Sequence, residues 1–452
     1  MGPIAGFAGE QITSSDSRFD ETRAVFNAMV DRHPALIARC TSPADVALAI
    51  AYAREAGLPL AVRAGGHSVA GLSMVDDGVV IDVRPMAQVS IDARNRVATV
   101  GAGALWSELD RAAQAYGLAT TGGRMSTTGV TGFTLGGGSG WLERRCGLAV
   151  DNLLAVELVT ADGDRVRASE YEHPELLWAH RGGGGNFGVV TQLELRLHEV
   201  GPMVYGGIAI YDPEDGEQVA TAFRDFYASA PDAAGVALAH VTAPPAPFVP
   251  EEWQGRLVTG IAGMWSGPVE EGEDHLHELL ASARPIANVF GEMPYAELQT
   301  MIDDPPGLRN WWTAEYLMDL PDAAVHAYCE YSRGMPLSHS QSLLVPWGGA
   351  VARAGDTPLT NRDAGWVVHP FCVWEGEERD EEHIAWGRRV RDVFADYRTG
   401  ATYLNFIGDE GADRIRAAYG PNYDRIAAVK ATWDADNVFR GNQNIVPAAT
   451  PA

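Results

Sequence analysis

The hexapeptide Arg63-Ala64-Gly65-Gly66-His67-Ser68 combines a cation, two glycines, an imidazole and a hydroxyl. Apolar runs that predict β-strands flank it at residues 58–62 and 79–83. Glycine lets the backbone turn its N–H groups toward one point, which makes a nest for an anion. A histidine in that nest would lie beside the group that carries the anion. On these six residues alone, a glycine-rich turn with an incidental histidine is the alternative.

Two further segments, 120–141 and 181–188, are rich in glycine, and the first is also rich in threonine. Such stretches suit neither a packed helix nor a regular strand, and they predict a backbone that wraps a large polar ligand. No glycine pair is followed by the lysine of a P-loop. The segment 183–188 lies between a predicted helix and a strand, the reverse of the Rossmann order. A nucleotide-like ligand is therefore expected, held by neither of these two motifs.

The elements that must position these loops change character near residue 200. The long glycine clusters end there, and strands alternate with acidic helices until about residue 398, after which aromatic and amide side chains return. We predict a ligand-wrapping domain over 1–200, a substrate-binding domain over 201–398 and a C-terminal return to the first domain over 399–452.

Two helices are predicted near the N-terminus from different signals. Ser42 as N-cap, Pro43 as first helical residue and Gly57 as the stop predict a helix between them. Apolar residues at helical spacing, Val25 and Phe26 followed by Met29 and Val30, predict a second helix over residues 20–30.

Composition excludes several classes of partner. The net charge of −26 argues against nucleic acid and anionic membranes, which reward basic patches. No run approaches the roughly 18 apolar residues of a membrane span, and the first residues lack the features of a secretory signal, so a cytoplasmic protein is expected. The four cysteines form no CxxC pair and the histidines show no ligand spacing, so buried thiols and no metal are predicted.

The hexapeptide resembles the [RG]-G-G-H-[SN] signature of FAD-linked oxidases of the vanillyl-alcohol-oxidase type, in the berberine-bridge-enzyme-like branch. Four further motifs agree in order and spacing. They are Leu135-Gly136-Gly137-Gly138-Ser139-Gly140, Gly147-Leu148 with Asp151-Asn152, the segment 181–188, and Tyr403-Leu404-Asn405-Phe406 with Asn442-Gln443-Asn444. The resemblance covers residues 20–200 and 400–447. It implies an α+β fold: a PCMH-type FAD-binding domain of two α+β subdomains, plus a substrate domain whose antiparallel sheet is flanked by helices.

The resemblance also implies how FAD is held. His67 matches the family histidine that bonds covalently to the flavin. Many relatives add a second link through a cysteine, whose place Met125 takes here, so attachment through His67 alone is expected and Cys146 is interpreted as structural. The implied cofactor-binding residues are Arg63, Ala64, Gly65, Gly66, His67, Ser68, Ser126, Thr127, Thr128, Gly129, Gly132, Gly136, Gly137, Gly138, Gly140, Trp141, Gly185, Asn186, Gly188, Val189, Val190, Tyr403, Asn405, Asn442 and Asn444.

Three residues are candidates for the chemistry. Tyr403 matches a tyrosine that lies near the flavin in relatives and could act as base, with packing against the ring as the alternative. His369, on a predicted strand over 366–374, could face the substrate as base or could be a buried structural histidine. Thr128 stands where relatives that react with O2 carry a small residue, and its hydroxyl also resembles members thought to oxygenate their substrates.

The resulting hypothesis is an FAD-dependent oxidase that takes hydride from a secondary metabolite, alcohol, sugar or amine and passes the electrons to O2, giving H2O2. The alternatives are a flavin-N5-oxide-type oxygenase or redox-neutral flavoenzyme, and a non-catalytic flavin-binding protein. The expected partners are a small-molecule substrate and O2, and a monomer or homodimer is expected.

Overall fold

The structure, a computed structural model, describes residues 2–449 and has an α+β architecture, which confirms the predicted fold class. Its strands are β1 Glu10–Ile12, β2 Leu36–Arg39, β3 Leu60–Arg63, β4 Val79–Asp82, β5 Val89–Asp92, β6 Val97–Gly101, β7 Leu118–Ala119, β8 Leu153–Val159, β9 Arg165–Ser169, β10 Val189–Arg196, β11 His198–Glu199, β12 Met203–Tyr211, β13 Ala234–Thr242, β14 Leu257–Trp265, β15 Ala287–Asn288, β16 Gly291–Pro294, β17 Arg309–Trp312, β18 Glu315–Leu317, β19 Gln341–Pro346 and β20 Trp366–Trp374.

The helices lie between these strands and in the C-terminal part of the chain. They are α1 Phe19–Arg23, α2 Pro43–Ala56, α3 Trp106–Gln114, α4 Val130–Leu135, α5 Glu143–Cys146, α6 Pro174–His180, α7 Gly216–Tyr227, α8 Gly272–Leu280, α9 Tyr295–Leu298, α10 Asp322–Arg333, α11 Asp380–Arg388, α12 Val390–Val393, α13 Ala412–Tyr419 and α14 Tyr423–Trp433. None of the helices in the described range is long and apolar enough to span a membrane.

The N-terminal sheet has the strand order β1-β2-β4-β3, in which β4 pairs in parallel with both β2 and β3. Helix α2 covers it with Val46, Ile50 and Ala53, all fully buried. The side chain of Ser42 accepts a hydrogen bond from the Asp45 N–H, and Gly57 ends the helix at φ 66°. The helix predicted from these caps is therefore confirmed.

The second sheet, β5-β6-β10-β8-β9, is antiparallel throughout. Its core also includes C-terminal residues such as Leu404, Ile426 and Ile445, so the end of the chain packs against the residues that precede position 200. The exact domain boundaries at residues 200 and 398 stay predictions.

The largest sheet has nine strands, all paired antiparallel. Its main path runs β15-β12-β14-β13-β19-β20-β17, with β16 beside β12 and β18 beside β20. Helices α7, α8 and α10 cover one face through residues such as Phe223, Leu276 and Tyr328. Since side chains alternate along a strand, the residues between the helix-facing ones point to the other face, toward the glycine loops.

The helix predicted over residues 20–30 is wrong beyond Arg23. After α1 the Phe26 N–H donates to the Gly66 carbonyl at 3.2 Å, and the Asn27 amide donates to the carbonyls of Val69 and Asn310. Long-range hydrogen bonds therefore replace the helical ones in this segment. They place Phe26 beside the loop that contains His67.

Candidate active site

One cavity of about 1340 Å³ lies between the glycine loops and the uncovered face of the nine-stranded sheet. The loop after β3, the segment around α4, residues 182–188 and residues 441–443 form one wall. Strands β12, β13, β14, β19 and β20 contribute the other wall. The cavity thus joins the two predicted regions, one for a cofactor and one for a substrate.

His67 stands in this cavity with both ring nitrogens near hydroxyl groups. Nε2 lies 3.0 Å from Thr127 Oγ1 and Nδ1 lies 3.4 Å from Thr128 Oγ1. Phe26 stacks on the ring at a centroid distance of 4.2 Å. Burial lowers the pKa of His67 to about 4, so the imidazole is neutral near pH 7 and has a nucleophilic nitrogen.

Glycines bring two cofactor loops into direct backbone contact. A Cβ on Gly65 would lie 2.2 Å from the Gly129 nitrogen, and a Cβ on Gly129 would lie 2.5 Å from the Gly65 nitrogen. Gly132 and Gly185 also line the cavity, yet a Cβ on either would meet no described atom within 4 Å. The first pair needs glycine for the close approach, whereas the second pair leaves space for a ligand.

Buried polar atoms along this wall also fit a polar cofactor. Thr131 Oγ1 and Asn442 Oδ1 are buried, have no hydrogen-bond partner among the described residues, and belong to residues that line the cavity. Buried polar groups are normally paired, so these two atoms are matched to a ligand that brings hydrogen-bonding groups of its own. The glycine space and the orphan atoms together fit FAD.

The structure places most predicted cofactor residues on the cavity wall. These are Ala64, Gly65, Gly66, His67, Ser68, Thr128, Gly129, Gly132, Gly136, Trp141, Gly185, Asn186, Gly188, Val190, Asn405 and Asn442. Nine others do not line it, namely Arg63, Ser126, Thr127, Gly137, Gly138, Gly140, Val189, Tyr403 and Asn444.

Several of these nine support the wall from behind. The Arg63 guanidinium turns away and donates to the carbonyls of Thr22 and Ala24, so its side chain holds the chain that follows α1. A Cβ on Gly140 would lie 1.8 Å from the Gly122 carbonyl oxygen, so this glycine serves backbone packing. Ser126 donates through its N–H and its hydroxyl to the carboxylate of Asp303.

Tyr403 does not line the cavity, and its surroundings favour the alternative of a packing role over that of a base. It is 1% exposed, and its hydroxyl oxygen accepts a hydrogen bond from the Gly138 N–H. Burial raises its pKa above the ordinary tyrosine value, which opposes formation of a phenolate. A Cβ on Gly137 would lie 2.5 Å from the same hydroxyl oxygen, so Tyr403 supports the glycine turn.

His369 does line the cavity, from strand β20. It is 1% exposed and stacks on Phe406 at a centroid distance of 4.3 Å and an interplanar angle of 2°. Its Nδ1 lies 2.8 Å from the Thr313 carbonyl oxygen, which can only accept. Nδ1 therefore carries the proton, and Nε2, which has no partner among the described residues, presents a lone pair. Burial, with a contribution from Arg124, lowers the pKa of His369 to about 4.

Met125 and Cys146, the two positions considered for a second covalent link to the flavin, lie in different surroundings. Met125 lines the cavity, but a thioether has no ionisable thiol. Cys146 is buried among apolar residues such as Leu148 and Val150, and burial raises the pKa of its thiol to about 12. All four cysteines are free and buried.

The sequence did not reveal several residues at or beside the cavity. The wrong helix prediction concealed Phe26, which stacks on His67 without lining the cavity itself. Asp303 lines the cavity from an irregular loop that carries no motif. Of four aromatic residues on β17, β18 and β20, Trp312 lines the cavity, whereas Trp311, Tyr316 and Trp374 do not. The small residues of β13 and β14 alternate along their strands, and that pattern is the one signal from which their role could have been found.

Comparison with known proteins identifies the class of enzyme to which this chain is similar. Residues 34–169 match the family model described as an FAD binding domain, and residues 402–446 match the model described as berberine and berberine like. The chain is 32% identical to an (R)-6-hydroxynicotine oxidase from Paenarthrobacter nicotinovorans, over 97% of both chains. The cavity and these matches define an FAD-linked oxidoreductase, so FAD as cofactor is confirmed.

Solved structures superpose on this chain over nearly its whole length. The 6-hydroxy-D-nicotine oxidase of Arthrobacter nicotinovorans superposes with a TM-score of 0.88 at 29% identity, covering 99% of both chains. A BBE-like protein of Physcomitrella patens gives the same TM-score at 24% identity, again over 99% of both chains, which supports the fold. The chain belongs to the berberine-bridge-enzyme-like family of FAD-linked oxidases.

Proposed function

We propose that this protein is an oxidase that takes hydride from a small-molecule substrate onto FAD tethered through His67 alone, with O2 as the final acceptor and H2O2 as product. The observation that best supports this proposal is the neutral His67 imidazole. Its ring lies between the hydroxyls of Thr127 and Thr128 and is stacked on Phe26, in the first of the glycine loops that line the cavity. FAD supplies the two-electron acceptor when bound, and the residues of this chain hold it and bind the substrate.

The proton of the reaction has a well-placed acceptor in the cavity. A substrate that loses hydride from carbon must also lose the proton of its O–H or N–H group when a neutral carbonyl or imine forms. His369 Nε2 has a free lone pair on the cavity side, while Nδ1 is held by the Thr313 carbonyl. We assign His369 as the base and Tyr403 as support of the glycine turn.

Acid precipitation of the purified protein tests the tether. A yellow pellet is expected from the wild type and from Cys146→Ala, whereas His67→Ala should leave its flavin in the supernatant. Both variants are single-residue truncations, and only one removes the proposed nucleophile. A colourless wild-type pellet, or a yellow His67→Ala pellet, would contradict the tether.

An oxygenating enzyme is the second candidate. It is favoured by the Thr128 hydroxyl, which belongs to the cavity wall beside His67. A Fusarium proliferatum relative, 38% identical over 45% of this chain, is named an FAD-dependent monooxygenase. One H2O2 released per substrate oxidised supports the oxidase; a product that retains an oxygen atom from 18O2 supports the oxygenase.

We also propose that the protein works in a reducing, cytoplasmic compartment. Its four cysteines are buried free thiols, which is typical of chains that need no disulfide. Fractionation of the source cells tests the location, and recovery of the protein outside the cytoplasm would contradict it.

A further inference from the structure

Two methionines, Met125 and Met301, line the cavity with their thioether side chains. The four cysteines all lie within the described range, are buried, and do not line it. A cysteine reacts with peroxide as its thiolate, whereas a methionine sulfur needs no ionisation to form the sulfoxide. Among the described residues of the cavity wall, these two sulfurs are therefore the groups that peroxide oxidises most readily.

Hydrogen bonds beside the cavity hold the segments of both methionines. Met125 is followed by Ser126, whose N–H and hydroxyl donate to the carboxylate of Asp303 at 2.7 Å and 2.5 Å. Asp303 lines the cavity two residues after Met301. The same pair of hydrogen bonds therefore fixes the two methionine segments next to each other at the cavity wall.

Met125 has an apolar contact that an added oxygen atom would change. It packs against the cluster that contains Phe26, Trp312 and Phe371. Phe26 in turn stacks on His67. A sulfoxide is polar where the thioether is apolar, and a polar group in an apolar contact costs free energy unless it gains a hydrogen bond. Oxidation of Met125 would therefore weaken the packing behind His67.

The oxidant would arise inside the same cavity. Under the proposed function, O2 takes two electrons and two protons from reduced FAD and becomes H2O2. One molecule in 1340 Å³ corresponds to about 1 M, so newly formed H2O2 meets the cavity wall at a concentration far above that in bulk solution. Met203 and Met318, which are 41% and 45% exposed, meet only the H2O2 that has left the cavity.

We propose that Met125 and Met301 are modification sites, converted to methionine sulfoxide by the H2O2 that the protein makes in its own cavity. The thioether sulfur gives an electron pair to one peroxide oxygen and binds it. The O–O bond breaks, and the second oxygen leaves with both protons as water. Methionine sulfoxide reductases reverse the change. The inference rests on the proposed function, which supplies the H2O2.

The test generates H2O2 in the cavity without a substrate. The flavin-loaded full chain is reduced with dithionite under argon and reoxidised with O2 in the presence of catalase, through repeated cycles. Catalase removes the H2O2 that leaves the cavity. A matched sample receives dithionite already consumed by air, so that H2O2 arises in bulk solution only. Peptide mass spectrometry then measures the sulfoxide fraction at each methionine.

We expect the sulfoxide fraction at Met125 and Met301 to rise with each cycle. It should exceed the fraction at Met203 and Met318, and that in the matched sample, by about tenfold or more, because catalase acts only on H2O2 in bulk solution. Equal fractions at all four methionines, or unmodified Met125 and Met301 after many cycles, would overturn the inference.

Two variants test the consequence at Met125. Met125→Leu keeps an apolar side chain of similar volume without sulfur, so its melting temperature should stay constant over cycles that lower the melting temperature of the wild type. Met301→Leu is the matched control, because Met301 does not belong to the Phe26 cluster, and its melting temperature should fall as in the wild type. Equal falls in both variants would contradict the role of Met125.

The yield of H2O2 per reduced flavin, measured without catalase, tests the proposed function separately. One H2O2 per flavin without sulfoxide at Met125 and Met301 would leave the oxidase in place and overturn this inference alone. Reoxidation that releases no H2O2 would overturn the oxidase, and the self-oxidation with it.

Discussion

His67 and His369 are both neutral imidazoles in one cavity, and their partners suit them to the two different roles proposed above. His67 is bracketed by the hydroxyls of Thr127 and Thr128 and covered by Phe26, which fixes the plane of its ring. His369 gives its only proton to a backbone carbonyl and turns the opposite nitrogen to the cavity. A fixed nucleophile suits attachment of a cofactor, whereas a free lone pair suits proton transfer from a substrate.

The assignment of His369 predicts the effect of His369→Asn. Asparagine can still donate to the Thr313 carbonyl, but it lacks an acceptor at the Nε2 position. We expect kcat/KM to fall by about 10²- to 10⁴-fold, with flavin content unchanged, for any substrate that bleaches the wild-type flavin. Because the base acts when neutral, wild-type kcat/KM should also fall as the pH drops through about 4.

Tyr403→Phe is the control for that measurement. It removes the hydroxyl that accepts from the Gly138 N–H and leaves His369 in place. We expect a lower melting temperature, from the loss of about 1–3 kcal/mol when a buried N–H loses its partner, and an unchanged shape of the pH–rate profile. If the fall of kcat/KM at low pH disappears in Tyr403→Phe but remains in His369→Asn, then Tyr403 is the base and His369 is not.

At the scale of elements, the C-terminal return is attached to the cofactor wall through helix α14. Lys430, the only lysine of the chain, is fully buried on this helix. Its ammonium donates to the carbonyls of Asn186 and Phe439, at 2.6 Å and 3.0 Å, and to the carboxylate of Asp434 at 2.6 Å. Asn186 lines the cavity and its side chain also contacts the backbone of Gln443, so one ammonium ties both segments together.

Lys430→Met is therefore expected to reduce the fraction of chains that incorporate flavin, as well as the stability of the fold. Removing one partner of a buried ion pair costs about 3–5 kcal/mol, and the two carbonyls lose their donor. Thermal unfolding and the flavin-to-protein ratio after gel filtration measure the two effects. Arg416→Met removes an exposed ion pair with Asp424 and should cost about 1 kcal/mol or less. Full flavin incorporation in Lys430→Met would show that the hydrogen bonds of the Lys430 ammonium do not shape the flavin site.

For the whole molecule, buried histidines link stability to pH. Burial lowers the pKa of His240 to about 3, below its ordinary value of 6.5, and its ring nitrogens have no partner among the described residues. Below about pH 6.5 the unfolded chain binds a proton that the folded chain does not, so the free energy of unfolding decreases as the pH falls. His180, His369 and His383 are shifted in the same direction.

His240→Phe is expected to reduce this pH dependence. Relative to the wild type, it should lose about 2 kcal/mol less stability between pH 6.5 and pH 5, as measured by denaturant unfolding. Burial raises the pKa of Asp110 to about 7, which acts in the opposite sense, so the difference between variants is the relevant quantity. His326→Phe, at an exposed position, should leave the slope unchanged. Equal slopes for all three proteins would contradict a neutral His240.

The sequence by itself determined the parts of the molecule whose chemistry is local. The caps of α2, the glycines beside His67 and the motif around Asn405 depend on a few neighbouring residues, and they were placed from the sequence because backbone freedom and capping act over short distances. The same locality explains the agreement between the predicted strand over 366–374 and β20.

Only the tertiary structure decided which residues lie next to each other at the cavity and which lie behind its wall. Residues 24–30 have helical spacing, but bonds from Phe26 and Asn27 to distant carbonyls outweighed that preference and put an aromatic ring on His67. Tyr403 belongs to a family motif, yet it is buried behind the glycine turn, where its hydroxyl accepts a hydrogen bond from the Gly138 N–H. The alignment of Gly260 on β14 with Ala239 on β13 at the cavity wall depends on strand register, and pairing between distant segments is absent from any local pattern.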